Sequence, residues 1–269
     1  MNVRRLTSFI MMSWLMPLAL WAEYQYNITL CAIFQNEAPY LNEWISYHIH
    51  QGVDHIYLYN SDSTDEYHAV VDPWVNMGLV TLEQWPNLWP DVSFPMVCQC
   101  LCYTDCLNKA RGKAQWVGFI DIDEYLVPMR NSNIRNLMHR YRKFESVSFQ
   151  WLCFGTSGIY QVPQGQMLKM LIHRAKVDYI LNGYFKTFVK PDACIDCTNP
   201  HFCNLISGKE THVAHRSMAR INHYWTKDEK FLNEVKIPRY IKWGLSAKDV
   251  RKIADTLNEV EDTEIHRLL

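Results

Sequence analysis

The sequence lacks the charge imbalance and the repetitive segments that mark several large classes of protein. Lysine and arginine together number 27 and aspartate and glutamate 28, which gives a formal net charge of −1. Binding to a nucleic-acid backbone needs a dense basic face, so this balance disfavours nucleic acid as a main partner. The 269 residues also contain no internal repeat and no low-complexity linker. They are sufficient for one α/β domain with a large core.

Long apolar runs are also scarce, and the one that stands out lies at the N-terminus. Arg4 and Arg5 precede an apolar stretch from Leu6 to Ala22. A short basic region before an apolar run is typical of a secretory signal peptide. A stretch of about 17 residues is also the lower limit for spanning a bilayer, so an uncleaved signal-anchor competes. We therefore expect residues 1–22 to be a signal peptide or signal-anchor, and the protein to be membrane-associated or in the secretory pathway. A frayed cytosolic helix is the remaining alternative.

The first half of the chain alternates apolar strands with amphipathic helices. Ile28 to Phe34 is a continuous apolar run, which predicts a buried strand. Strand, helix and strand in this order and at this length predict a right-handed parallel βαβ unit. The predicted strands lie over 28–34, 55–59, 79–84, 115–120 and 146–151. Four helices are predicted between or after them: one from Pro39 to the left-handed cap at Gly52, one over 67–77, one that ends at Arg111, and one that begins after the N-cap Ser132.

The second half is less regular, and a loop rich in Trp and Pro runs from Trp85 to Pro95. Short strands are predicted over 167–173, 184–189 and 211–215, and helices over 228–242 and 246–260. The fold predicted from these patterns is α/β and Rossmann-like, with a central, mostly parallel sheet flanked by helices. Since the chain has no G-x-G-x-x-G loop after a strand, a dinucleotide site is disfavoured.

Polar clusters follow three of the predicted strands, where ligands bind in open α/β sheets. The third cluster contains Asp121 and Asp123, which lie two residues apart at the end of a strongly apolar strand. Two adjacent carboxylates repel each other unless a cation joins them, and oxygen ligands of this kind suit magnesium or manganese. Such an ion would bridge the phosphates of a nucleotide-sugar and assist departure of the diphosphate. A solvated turn is the alternative interpretation.

Six of the nine cysteines fall into two groups that need separate interpretations. Cys98, Cys102 and Cys106 recur at helical spacing, which favours a packing face of small residues. Cys194 and Cys197 form a C-x-x-C with Cys203 nearby. In an exported chain this group favours a loop disulfide, with free thiols and a zinc site as alternatives.

Several segments in a fixed order resemble glycosyltransferase family 92 and its bacterial relatives, in the GT-A superfamily. The resemblance covers roughly residues 28 to 240. Its segments are Cys31–Glu37, Tyr40–His48, Ser63–Asp65, Trp116–Leu126, Trp151–Gly158, Lys186–Pro191 and Ile221–Lys227. The resemblance implies a GT-A fold, that is, a Rossmann-like nucleotide-diphospho-sugar transferase fold. We expect one such domain over 23–269, with a nucleotide-binding half at about 28–130 and an acceptor-binding half at about 131–245.

The resemblance also implies roles for individual residues. Asp121 and Asp123 would hold Mn²⁺ or Mg²⁺ together with His223, and an imidazole beside two carboxylates suits manganese. The residues expected at the nucleotide-sugar donor are Asn36, Glu37, Asp62, Asp65 and Lys227. Those expected at the acceptor are Trp151, Phe154 and Gly155. A helix cap at Glu37, a buried structural histidine at His223 and plain core aromatics are the competing interpretations.

Transfer with inversion needs a group that takes the proton from the acceptor hydroxyl. Candidates in the second half are Asp178, Glu210, His212 and Asp228, and no pattern in the sequence ranks them. The predicted function is metal-dependent, inverting transfer of a hexose, galactose from a UDP-sugar, to a glycan or glycolipid acceptor. A catalytically inactive glycan-binding protein on the same fold is the alternative. A phosphohydrolase is disfavoured, because no H-x-D or D-x-H cluster lies near Asp121 to supply further metal ligands.

Overall fold

The structure is a computed structural model that describes residues 24–85, 95–130 and 132–269. Its first half alternates strands and helices as predicted. The elements are β1 (Tyr26–Phe34), α1 (Ala38–His50), β2 (His55–Asn60), α2 (Tyr67–Asn76), β3 (Val80–Gln84), α3 (Pro95–Ala110) and β4 (Ala114–Phe119). Gly52 has a φ of 96° just after α1, so the left-handed cap predicted there is confirmed.

The second half contains shorter and more varied elements. They are β5 (Glu124–Pro128), α4 (Ile134–Arg140), β6 (Ser146–Cys153), α5 (Met167–Met170), β7 (His173–Arg174), β8 (Phe185–Val189), β9 (His212–Val213), β10 (Ala219–His223), α6 (Glu229–Phe231), a π-helical segment (Leu232–Lys236), α7 (Ile237–Lys242), α8 (Ala247–Thr256) and β11 (Val260–Glu261). The structure confirms the strand predicted over 184–189, a short strand within 211–215 and the late helices.

Two local predictions are wrong for identifiable reasons. Residues 167–170 are helical rather than extended, because the Glu43 carboxylate accepts hydrogen bonds from the Met167 and Leu168 amides at 2.9 and 3.0 Å. This tertiary cap is invisible to local periodicity. Helix α4 is capped by Asn133 and not by Ser132, since the Asn133 side chain accepts the Asn136 amide at 2.8 Å.

The main sheet has the strand order β3-β2-β1-β4-β8-β6-β10-β5, and β9 pairs with β6. Strands β1 to β4 are parallel where they pair, and β9 and β10 run parallel to β6. Strands β5 and β8 are antiparallel to their neighbours. The predicted α/β fold with a mostly parallel sheet is therefore confirmed. A separate two-stranded sheet pairs β7 with β11.

This topology brings the chemistry-bearing residues to one edge of the sheet. Parallel strands β1, β2 and β4 end together at Phe34, Asn60 and Phe119. Strand β8 begins at Phe185 on the same edge because it runs antiparallel to β4. Strand β10 ends there at His223, next to Cys153 at the end of β6. Polar groups that follow these strand ends can therefore converge on one ligand.

The two cysteine groups differ in their chemistry. Cys98, Cys102 and Cys106 are fully buried, which confirms that they form a packing face of α3. Cys197 forms a disulfide with Cys203, whereas Cys194 is a buried free thiol. The disulfide interpretation of this loop is therefore confirmed, with the bond between the second and third cysteines of the group.

The predicted signal peptide or anchor, residues 1–22, lies outside the described residues, and so does most of the predicted loop from Trp85 to Pro95. In the part of the chain that the structure describes, no helix has both the length and the hydropathy needed to cross a membrane.

Candidate active site

A tight turn between β4 and β5 presents the two predicted aspartates. The indole Nε1 of Trp44, from α1, donates to the carbonyl oxygens of Asp121 and Glu124, each at 2.9 Å. The Asp121 amide donates to Glu124 Oε2 at 2.9 Å, which closes the turn from within. These bonds fix the backbone, so that Asp121 and Asp123 both line one cavity.

Asp121 is held by a buried lysine as well as by neutral donors. Its Oδ2 lies 2.9 Å from the Nζ atom of Lys186, and its Oδ1 accepts from Gln99 at 2.7 Å and from Tyr103 at 3.2 Å. Lys186 has a side chain only 1% exposed and also lies 3.6 Å from Glu124. Burial alone would lower the pKa of Lys186, but the charges of Asp121 and Glu124 outweigh burial and raise it. The ammonium group therefore stays charged and offsets the charge of Asp121, while burial raises the pKa of Glu124 well above its ordinary value.

Asp123 faces a different set of cations. Its Oδ1 lies 3.5 Å from Nε2 of His223, at the end of β10, and its Oδ2 lies 3.9 Å from Nζ of Lys236. Burial tends to raise the pKa of Asp123, but its interactions with His223 and Lys236 outweigh burial and hold the pKa below its ordinary value. The Nδ1 atom of His223 is buried and has no hydrogen-bond partner. Asp123 is thus an ionised carboxylate beside an imidazole, a donor pair that suits a divalent metal ion.

The cavity around these groups has a volume of about 460 Å³. Besides the carboxylates and His223, it is lined by Ile33, Phe34, Gln35, Glu37, Ser61, Gln99, Ile122, Trp151, Leu181, Tyr184, Trp225, Lys236, Arg239, Tyr240 and Ile253. Lys236 belongs to the π-helical segment, a feature frequent at functional sites, and its Nζ atom lies 4.6 Å from the centre of the Trp225 ring. Two cations, Lys236 and Arg239, therefore lie in the wall that contains Asp123.

Glu37 and Lys227, both expected at the donor, pair with each other. Glu37 lines the cavity and forms an ion pair with Lys227, whose side chain is 1% exposed. The Lys227 ammonium also lies 4.1 Å from the centres of the Tyr40 and Phe231 rings. The wall of the cavity therefore presents Lys236 and Arg239 as its cations, while Lys227 lies behind Glu37.

The other three predicted donor residues organise neighbouring loops. Asn36 has a φ of 56°, and its side-chain oxygen accepts the Thr64 amide at 2.8 Å. Asp65 accepts the Ala38 amide at 2.8 Å and so caps α1 from the following loop. Asp62 is exposed, with a φ of 51°. Their roles at the donor stay predictions.

The predicted acceptor residues have different environments. Trp151 lines the cavity, and its ring centre lies 4.3 Å from that of His223. Phe154 is fully buried in the main core. A Cβ atom at Gly155 would lie 2.4 Å from Oδ1 of Asn258, so this position requires glycine for close packing. Of the three, Trp151 is the residue that faces the cavity.

The candidate proton acceptors do not line this cavity. Asp178 is exposed, and Glu210 lines a second cavity of about 370 Å³. Asp228 caps α6 by accepting the Phe231 amide at 2.8 Å, and it also accepts the Val162 amide at 2.9 Å. His212 stacks on Phe144 with ring centres 4.1 Å apart. Their role as the base stays a prediction.

Several lining residues were missed by the sequence reasoning, among them Gln99, Tyr184, Lys236 and Arg239. The i, i+3 spacing of Lys236 and Arg239 would have placed them on one helical face. No sequence signal shows that this face meets the strand end at Asp123, because that meeting depends on how the last helices pack on the sheet.

Within residues 24–85, 95–130 and 132–269, no three His, Cys, Asp or Glu side chains are arranged to hold a metal ion. In the cavity, Asp123 and His223 form a carboxylate–imidazole pair, with Oδ1 and Nε2 3.5 Å apart. Magnesium-type ions are often held by one or two carboxylates, with substrate phosphates completing the shell. The two residues therefore fit an ion that arrives with a diphosphate.

Comparison with known proteins places these observations in a family. The sequence pattern of glycosyltransferase family 92 matches residues 26–266. A family 92 protein of Oryza sativa subsp. japonica is 28% identical over 214 residues, which cover 76% of this chain and 34% of that protein. A galactan β-1,4-galactosyltransferase of Arabidopsis thaliana is 25% identical over 218 residues, which cover 75% of this chain and 41% of that protein. The matched segment thus spans less than half of either relative.

Among solved structures, the crystal structure of S. aureus TarS in complex with UDP is similar, with a TM-score of 0.45 and 13% sequence identity. That match covers 85% of this chain and 69% of the other. The family pattern extends over nearly all of the described residues, from β1 to beyond β11. The chain therefore belongs to glycosyltransferase family 92.

Proposed function

We propose that the protein is a metal-dependent glycosyltransferase that transfers galactose from UDP-galactose to a glycan acceptor with inversion at the anomeric carbon. The observation that carries the proposal is a single cavity of about 460 Å³ that combines two strand-end aspartates, a histidine, and the cations Lys236 and Arg239. This combination offers separate contacts for a metal ion and for a diphosphate at the edge of the sheet where α/β proteins bind ligands.

The donor lies across the carboxyl ends of β1, β2 and β4. The nucleoside occupies the part of the cavity lined by Gln35 and Ser61, and Ser61 offers a buried hydroxyl with no hydrogen-bond partner. The diphosphate lies beside Lys236 and Arg239, whose charges offset its own. A guanidinium group pairs well with a phosphate because its planar fork of N–H donors can bond to two phosphate oxygens at once.

Asp123 and His223 would hold Mn²⁺ or Mg²⁺, and the bound ion would neutralise charge that develops on the departing UDP. Asp121 is paired with Lys186 at 2.9 Å, so it shapes the turn and contributes negative charge near the ion. Lys186 in turn limits the repulsion between Asp121 and Glu124 when the donor is absent.

The acceptor lies over β8 and β6, where Trp151 and Tyr184 line the cavity. Its hydroxyl oxygen attacks the anomeric carbon as the bond to UDP breaks, and a basic group takes the hydroxyl proton. Galactose is proposed as the transferred sugar because related family members are galactan β-1,4-galactosyltransferases. Membrane association through residues 1–22 is part of the same proposal and rests on the basic and apolar pattern there.

The proposal is tested by titrating UDP into the full chain by calorimetry, with and without Mn²⁺. The variants are Asp123→Asn and, as a matched control, Asp255→Asn, which removes a charge from the exposed surface of α8. We expect UDP binding that requires Mn²⁺, is weakened at least about tenfold by Asp123→Asn, and is unchanged by Asp255→Asn. Metal-independent binding of equal strength in all three proteins would contradict the proposed donor site. Binding of glycans without turnover would favour the inactive glycan-binding alternative.

A further inference from the structure

We propose that Tyr184, braced by Trp151 and His201, is the platform on which the terminal pyranose ring of the acceptor glycan packs. The inference rests on the proposed glycosyl transfer, and it adds Tyr184 and His201 to Trp151, an acceptor residue that the sequence predicted.

The three rings form a continuous aromatic surface. The ring centres of Tyr184, Trp151 and His201 are each 5.4 Å from the other two. Trp151 extends this surface to the catalytic edge, because its ring centre lies 4.3 Å from that of His223. The aromatic surface therefore begins beside Asp123 and ends at Tyr184.

Tyr184 is unusually open for an aromatic residue in such a cluster. It is 48% exposed, while the aromatic residues of the core are almost fully buried. Leu181, three residues earlier, lines the same cavity. The exposed Tyr184 ring therefore offers a ligand an apolar face within the lining of the cavity.

The platform is held rigidly from behind. The Trp151 amide donates to the Tyr184 carbonyl at 2.9 Å, which fixes Tyr184 at the start of β8. His201 Nδ1 lies 2.8 Å from the Phe185 carbonyl, and the Thr187 hydroxyl donates to the His201 carbonyl. His201 belongs to the loop closed by the Cys197–Cys203 disulfide. A preformed surface of this kind loses little entropy when a ligand binds.

The sheet order separates this surface from the nucleoside. Strands β1 and β2, which lead to Gln35 and Ser61, lie on one side of β4, whereas β8, β6 and β10 lie on the other. Asp121 follows β4 and so lies between the two sides. A pyranose ring presents C–H groups on one face and hydroxyl groups at its rim, and C–H groups pack well on an aromatic face. The side away from the nucleoside therefore fits the acceptor sugar.

The test uses the full chain and three variants: Tyr184→Ala, the ring-retaining Tyr184→Phe, and Tyr160→Ala as a control at a residue that is 67% exposed outside the cavity. The probes are UDP with Mn²⁺ and a β-1,4-galacto-oligosaccharide, with a β-1,4-gluco-oligosaccharide in parallel. The binding affinity of each probe is measured, and so is the acceptor KM for the proposed galactosyl transfer from UDP-galactose. We expect Tyr184→Ala to weaken saccharide binding and raise the acceptor KM by about tenfold, while Tyr184→Phe retains most of the affinity. The Tyr160→Ala control is expected to keep the parental UDP binding, saccharide binding and acceptor KM.

The outcomes separate this inference from the proposed function. If Tyr184→Ala weakens UDP binding as strongly as saccharide binding, the ring holds the nucleobase and the inference is wrong. If the parent binds UDP but neither saccharide, or if saccharide binding is equal in all four proteins, the platform is also refuted. A parent that binds a saccharide through Tyr184 but does not bind UDP would refute the proposed function and leave the platform standing.

Discussion

Lys186 is the single residue on which the electrostatics of the turn depend most. Its side chain is 1% exposed, and its Nζ atom lies 2.9 Å from Asp121 and 3.6 Å from Glu124, whose side chain is fully buried. A buried ion pair adds little stability relative to an apolar replacement of both partners, but loss of one partner strands the other charge. Lys186 is therefore required for the stability of the folded turn as long as Asp121 and Glu124 are both present.

Replacing Lys186 with methionine keeps the aliphatic stem and removes the charge. We expect Lys186→Met to lower the free energy of unfolding by about 1–3 kcal/mol, because Asp121, whose side chain is 34% exposed, loses its counter-ion but keeps part of its hydration. Urea denaturation measures the change, and the double variant Lys186→Met/Asp121→Asn should recover part of it. Lys209→Met, which breaks a pair at 3.2 Å involving an exposed lysine, should change little. Equal stability of Lys186→Met and the parent would contradict the neutralising role.

The carboxylates of the site could be predicted from the sequence, whereas its cations and its exposed aromatic residue could not. Asp121 and Asp123 are recognisable because the apolar strand before them and their spacing are both local. Lys236, Arg239 and Tyr184 reach the cavity only through the packing of distant segments on the sheet. Lys227 shows the same limit, since the sequence does not reveal its ion pair with Glu37, 190 residues away.

At the scale of elements, Asp262 connects the last strand to the main sheet. It follows β11 and lies 2.6 Å from Nε of Arg174 in β7 and 2.6 Å from Nη2 of Arg220 in β10. Burial tends to raise the pKa of Asp262, but the hydrogen bonds and charge of Arg220, followed by those of Arg174, lower it overall. The small β7–β11 sheet is thereby fastened to the strand that leads to His223.

This arrangement predicts a dependence of stability on pH. Because the folded-state pKa of Asp262 is lower than that of an unfolded aspartate, about 3.9, its contribution is complete above that value. The contribution is lost as the pH falls through the lower folded-state pKa. We expect Asp262→Asn to cost about 1.5–3 kcal/mol at pH 7, and the difference from the parent to shrink steadily below about pH 4. Denaturation at several pH values measures this, and a difference that is constant or grows towards acid pH would contradict it.

Elements of the first half could be predicted because the strands are rich in apolar residues and amphipathic helices alternate with them. Strands β5 and β10 were missed although every residue in both is buried. Their sequences, Glu124–Pro128 and Ala219–His223, mix charged and apolar side chains, so neither alternation nor a continuous apolar run identifies them. The buried charges in these strands are present because they belong to the site and to the arginine–aspartate network.

At the scale of the whole molecule, the sheet order separates the proposed donor and acceptor sites by one strand. Strand β4 has β1 and β2 on one side and β8, β6 and β10 on the other. The carboxylates that follow β4 therefore lie between the two proposed sites. The main core draws residues from both halves of the chain, from Ile28 to Ile265, which keeps these two sides in a fixed relation.

Direct observation of sugar transfer tests this account most directly. The full chain is incubated with Mn²⁺, UDP-galactose and a β-1,4-galacto-oligosaccharide, and the products are analysed by mass spectrometry and by NMR of the new anomeric proton. UDP-glucose serves as the alternative donor, and Asp123→Asn as the variant that lacks the carboxylate beside His223. We predict an oligosaccharide one hexose longer, joined by a β linkage, from UDP-galactose with the parent and at least about a hundredfold less with Asp123→Asn. No elongation from either donor by a folded protein that binds UDP, or equal elongation by the variant, would contradict the account.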